Sequence, residues 1–76
     1  MNKEIETNIG NNLRKLREEK GMTQDVLSAK LQLRGCDITR SALAKIEVGQ
    51  RHLYPDEILH LKEILETDFD CIFYGE

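Results

Sequence analysis

Apolar residues recur along this chain at helical spacing, and no useful length of it alternates apolar and polar positions as a strand would. Ile9, Leu13 and Leu16 follow one another at intervals of four and three, with Ile5 a turn earlier. They predict a first helix from about Thr7 to Lys20. Gly21 is its C-terminal stop, the basic Lys20 suits the dipole there, and Met22 is placed to pack back on the last turn. Gly10 inside this stretch reads as a weakness of about 1 kcal/mol relative to alanine. A second helix is predicted to start at Thr23, whose hydroxyl can accept from the first-turn N–H groups, with Asp25 where the dipole favours an anion. Leu27 and Leu31 give it a buried face, and Gln32–Asp37, containing Gly35, reads as the connection. Thr39 is the predicted cap of a third helix. Its apolar side is Ala42, Leu43 and Ile46, its opposite side is Arg40, Ser41, Ala44 and Lys45, and Gly49 ends it. A fourth helix has Pro55 at its first position, Asp56 and Glu57 in the first turn, and Ile58, Leu61 and Leu65 inward. A final short helix, with Thr67 as cap, presents Phe69, Ile72 and Phe73, and Gly75 closes it. The fold class is all-α, a compact bundle of about five short helices.

Length and composition constrain this picture without redirecting it. Seventy-six residues suit one domain spanning 1–76 with a small core. Apolar residues at 39% and charged residues at 33% are ordinary for a globular chain. No apolar run approaches the roughly 20 residues that span a bilayer, and Met1-Asn2-Lys3-Glu4 lacks the layout of a signal peptide. The expectation is a cytoplasmic protein, with no membrane association. Cys36 and Cys71 are too few for a disulfide framework and are expected to be reduced thiols. His52 and His60 lie eight residues apart with no third ligand in view, so no metal and no cofactor are expected.

Charge does change the picture. The net charge of −3 argues against a nucleic-acid partner until its distribution is considered. Residues 1–53 carry ten Lys/Arg against seven Asp/Glu, a net +3, whereas residues 54–76 carry one Lys against seven Asp/Glu, a net −6. Such a chain orients itself on a polyanion with its N-terminal part inward.

Gly21-Met22-Thr23-Gln24, then Leu27, Leu31, Ser41, Ile46-Glu47 and Gly49, resemble the Cro/phage-repressor type of helix-turn-helix domain, the xenobiotic-response-element family with its lambda-repressor-like fold. The resemblance covers about Ile9 to Leu65, with the helix-turn-helix unit at about 23–49 and the C-terminal helices at about 55–74. It implies that Arg40, Ser41 and Lys45 sit where family members touch bases, with Thr39 beside them. It implies that Gln24 sits where the family anchors a phosphate and supports base contacts. The backbone around Gln50 and Arg51 sits where the family meets the other strand's phosphates. Arg17 and Glu47 sit where the family often has a structural ion pair joining the first and third helices. The chain departs from the family in one respect: Thr23 and Glu47 are 24 residues apart, about five more than the common pattern, with a turn of three or four residues. The surplus lies in Gln32–Asp37. Arg34 in that loop can reach a phosphate, but plain solvated loop is the favoured reading.

The expected function is a sequence-specific, double-stranded DNA-binding transcription regulator, a repressor or Cro-like switch acting as a dimer on a two-fold operator. Leu59, Ile64, Phe69 and Phe73 are the candidate dimer contacts. The rival reading is an antitoxin-like module that uses the same fold to hold a basic partner protein through its acidic 54–76 segment. No P-loop, catalytic triad spacing or metal signature points to an enzyme, and without a second domain no small-molecule ligand is expected.

Overall fold

The computed structural model describes residues 2–76. They form five helices, with no strand among the described residues: α1 (Lys3–Glu19), α2 (Gln24–Leu33), α3 (Arg40–Glu47), α4 (Pro55–Leu65) and α5 (Phe69–Tyr74). Helix α1 begins a turn earlier than its apolar spacing predicts. Asn2 caps it, its side chain accepting from the Ile5 N–H at 3.1 Å, and Glu4 and Glu6 occupy the dipole-favoured first turn. Thr23 and Thr39 cap α2 and α3 in the same way, accepting from Val26 and Ala42 at 3.1 Å each. Pro55 opens α4, whose third residue, Glu57, reaches back to accept from the Tyr54 N–H at 3.0 Å. The cap of α5 is Asp68, which accepts from Cys71 at 2.8 Å, and not Thr67 as the sequence reading expects. Asp68 is the residue with a side-chain oxygen three positions before an exposed first-turn N–H.

Helices α1 to α4 end alike. In each, one residue in the left-handed region donates to the carbonyl three back, and the next residue donates to the carbonyl five back. For α2 these bonds are Gly35 to Gln32 at 3.0 Å and Cys36 to Leu31 at 2.9 Å, and Leu31 and Cys36 are both buried. This motif carries α2 through Gln32 and Leu33, two residues that the sequence reading placed in the connection, leaving 34–39 between the helices.

That connection is ordered from both sides. The buried Ser28 hydroxyl donates to the Ile38 carbonyl at 2.7 Å, and Gln32 Nε2 lies 3.4 Å from the same oxygen. Cys36 and Ile38 turn into the core. Arg34 is not plain solvated loop: its guanidinium pairs with Glu63 and donates to His60 Nδ1 at 3.1 Å, both on α4.

The core gathers Leu13 of α1, Leu27 and Leu31 of α2, Ile38 of the connection, Leu43 and Ile46 of α3, Leu61 and Leu65 of α4, and Ile72 of α5. Each of these buried side chains contributes about 1.5–3 kcal/mol through removal from water. Helix α1 packs against α3 and α5, and α2 packs against α3 and α4, so α3 is held from two sides. The α1–α3 contact is close enough to require Gly10. A Cβ there would lie 2.2 Å from the Ile46 carbonyl oxygen and 2.9 Å from that of Glu47. The expected weakness in α1 is therefore a packing requirement. No helix among the described residues is long and apolar enough to cross a membrane.

Candidate nucleic-acid interface

Helix α3 divides cleanly by solvent exposure. Leu43 and Ile46 are buried on the scaffold side, Ala44 is half-buried, and Thr39, Arg40, Ser41 and Lys45 are exposed. Lys45 lies on that exposed side in the last turn, and Thr39, Arg40 and Ser41 lie at the N-terminal end, where the helix dipole is positive. The first turn of α2 stands beside it: Asp25 Oδ1 lies 3.5 Å from Arg40 Nε, with both side chains largely exposed. The first turns of α2 and α3 thus form one surface.

The C-terminal end of α3 is fixed from behind by a buried polar cluster. Arg17 of α1 donates from Nε to Glu47 Oε2 at 2.7 Å and from Nη2 to Oε1 at 3.0 Å. Its remaining terminal nitrogen donates to the Met22 carbonyl at 2.8 Å. Gln24 Nε2 donates to Glu47 Oε1 at 3.0 Å. One carboxylate therefore collects donors from α1 and from the first residue of α2, while the same guanidinium holds the residue before the α2 cap. The bidentate bond to Glu47 raises the Arg17 pKa above its already high ordinary value, in spite of burial. No buried side-chain nitrogen or oxygen among the described residues lacks a hydrogen-bond partner. This matters, because a half-satisfied cluster of this kind would destabilise the fold.

Beyond α3, the Gln50 N–H is used by the Lys45 carbonyl at 2.8 Å. The Arg51 side chain turns onto Glu57, donating from its two terminal nitrogens at 2.9 and 3.0 Å, and also donates to the His52 carbonyl at 3.0 Å. It ties the segment after α3 to the start of α4. The Arg51 bond and the Tyr54 N–H hold the Glu57 carboxyl below its ordinary range, in that order after allowing for burial. His52 Nδ1 meets Glu6 Oε1 at 2.7 Å, joining the same segment to α1. His52 and His60 thus have separate partners, and no group of three metal-ligating side chains occurs among the described residues. Burial pushes the Cys36 thiol up, away from reactivity.

The structure places Thr39, Arg40, Ser41 and Lys45 along the exposed side of α3, with Gln24 at the start of α2 tied to Glu47 at the far end of α3. It sets the Arg51 side chain apart from them, on the scaffold. A short polar-to-basic helix face of this size, backed by a rigid apolar side, fits the major groove of B-DNA. The helix-turn-helix domain model matches residues 10–70. The chain belongs to the helix-turn-helix domain family. No curated protein and no solved structure matches the chain. Helix-turn-helix domains are DNA-binding rather than enzymatic modules in which the second helix of the pair enters the groove, and α3 is the second helix of the pair in this chain. In this helix-turn-helix domain the "turn" is the six-residue segment 34–39.

Sequence reasoning missed Asp25 as a neighbour of Arg40 and took it only as a dipole-favoured anion. It also missed Ser28, although a small polar residue between the inward Leu27 and Leu31 is a signal that something across from it needs a donor.

Proposed function

We propose that this protein is a sequence-specific, double-stranded DNA-binding transcription regulator, a repressor or Cro-like switch of the phage-repressor type, acting as a homodimer. The observation that carries this reading is the exposed face of α3, bearing Arg40 and Ser41 in its first turn and Lys45 in its last, beside the first turn of α2 and braced behind by Arg17 and Glu47. Arg40 presents planar donors suited to the acceptor edge of guanine, Ser41 can bond to any base edge, and Lys45 contributes a point charge a turn farther along. Thr39 and Gln24 approach the flanking phosphate, with Gln24 oriented through its bond to Glu47. Backbone groups around Gln50 and Arg51 approach the opposite strand. One such domain reads only a few base pairs, so two copies on a symmetric site are the natural unit.

Selection of bound sequences from a random duplex pool tests this directly. A palindromic consensus, with binding that weakens steeply as salt rises, is the expected result. Recovery of no consensus, together with co-purification of a basic protein, would replace it with the antitoxin-like reading.

A further inference from the structure

Asp25 is out of place on a surface meant for a polyanion. It lies in the first turn of α2, in the same surface as Arg40, Ser41 and Lys45, and three-quarters of its side chain is exposed. A carboxylate there lowers DNA affinity by repelling phosphates. It adds little to the fold, because an ion pair this exposed is screened by water and salt. Its one charged neighbour is Arg40, and the contact is to Nε, at 3.5 Å. Nε is the inner nitrogen of the guanidinium. A carboxylate on that side of the group biases its orientation and leaves the outer pair, Nη1 and Nη2, without a partner among the described residues. Those two donors form the fork that matches the O6 and N7 acceptors of guanine.

We propose that Asp25 is a specificity-determining residue of this domain: it orients Arg40 for bidentate base contact and penalises phosphate contact wherever no matching base is present. Discrimination is a difference between two affinities, and Asp25 acts on both sides of it. On the right sequence the preset fork loses little freedom on binding. On the wrong sequence the Asp25 charge offsets that of Arg40, so the two together neutralise less phosphate charge and release fewer counterions. The inference rests on α3 being the reading helix.

The test compares wild type, Asp25→Asn, Arg40→Ala and the double variant, each on its selected consensus duplex and on a random duplex over a range of salt. Asp25→Asn keeps size and exposure and removes the charge. It is expected to tighten random-duplex binding and steepen its salt slope by about one counterion, as Arg40 turns to a phosphate. The preference at one base pair of each half-site is expected to fall by about tenfold. In the Arg40→Ala background the same change is expected to leave base preference unaltered. The proposal is overturned if Asp25→Asn shifts consensus and random binding by the same factor, which would make Asp25 a bulk charge. It is overturned equally if the base preference falls by the same amount with and without Arg40. A wild-type chain that selects no consensus at all overturns the proposed function itself, an outcome distinct from either.

Discussion

Gly10 faces the carbonyl oxygens of Ile46 and Glu47, at the crossing where α1 supports α3. Judged by propensity, Gly10→Ala should stabilise α1 by about 1 kcal/mol. The 2.2 Å approach to a backbone oxygen, which cannot rotate away as a side chain would, reverses that sign. The variant is expected to lose about 1–3 kcal/mol, the usual cost of forcing volume into a packed contact. Urea unfolding measures it, and a gain in stability would refute the packing account. Glu66 presents the opposite case. It occupies the left-handed position closing α4 at φ 52°, the place that Gly21, Gly35 and Gly49 fill after α1, α2 and α3. A side chain there crowds its own backbone. Its carboxylate pairs with Lys20 Nζ at 2.7 Å, and that bond holds the Glu66 carboxyl below its ordinary range. The pair is exposed and screened by salt. Glu66→Gly is therefore expected to raise the thermal midpoint by a few degrees, with the larger gain at high salt, where the lost ion pair matters least. A lower midpoint at every salt concentration would show that the Lys20 contact outweighs the backbone relief. Neither position was legible in the sequence. The first depends on what crosses α1, and the second on which of several polar residues after Leu65 takes the turn.

Helix beginnings were legible where a side-chain oxygen and a following apolar stripe coincide, as at Thr23 and Thr39, and where Pro55 fixes the first residue. The buried face of α3 and the exposed row of Arg40, Ser41 and Lys45 followed from the 100° step alone. Helix ends were read too early where a glycine lies beyond the last polar residue, because the closing motif of α2 lets the helix run to Leu33 before Gly35 reverses it. Long-range polar pairs set the remaining geometry, and spacing does not reveal them. Arg51 and Glu57 are the example: they join the segment after α3 to the first turn of α4. Because Arg51 and the Tyr54 N–H depress the Glu57 pKa in the folded state, the unfolded chain takes up the proton first as acidity increases. The pair's contribution is fully present above the ordinary Glu value of 4.5 and is lost as pH falls through the folded value. Glu57→Gln is expected to cost about 1–3 kcal/mol at neutral pH, the range for removing a charged partner from a part-buried hydrogen bond. The gap between variant and wild type should close in acid, once pH has fallen through the depressed folded value and the wild-type carboxyl is also neutral. An equal gap at both pH values would assign the loss to packing instead.

At the scale of the whole molecule, charge and apolar exposure are distributed so that the two proposed partners respond oppositely to salt. Helix α3 lies in the part with net +3, and α4 and α5 lie in the part with net −6. The four expected dimer contacts do not stand equally. Ile64 and Phe73 already pack against the protein's own core, whereas Leu59 and Phe69 are about half exposed. Phe69 carries Lys62 over its ring at 5.3 Å, and Leu59 sits one turn before Lys62 on α4. A symmetric contact through this surface buries both apolar groups but brings two acidic segments together. Added salt should then strengthen the dimer by screening that repulsion, while it weakens DNA binding by competing for phosphates. Sedimentation of the free protein is expected to show tighter association as salt rises toward roughly 0.5 M. Phe69→Asp should abolish that association while leaving the helical content unchanged. Operator affinity should then fall in the variant far more at low protein concentration than at high, because only dimer formation has been impaired. Association that weakens with salt, or a dimer untouched by Phe69→Asp, would place the two-fold contact elsewhere on the molecule.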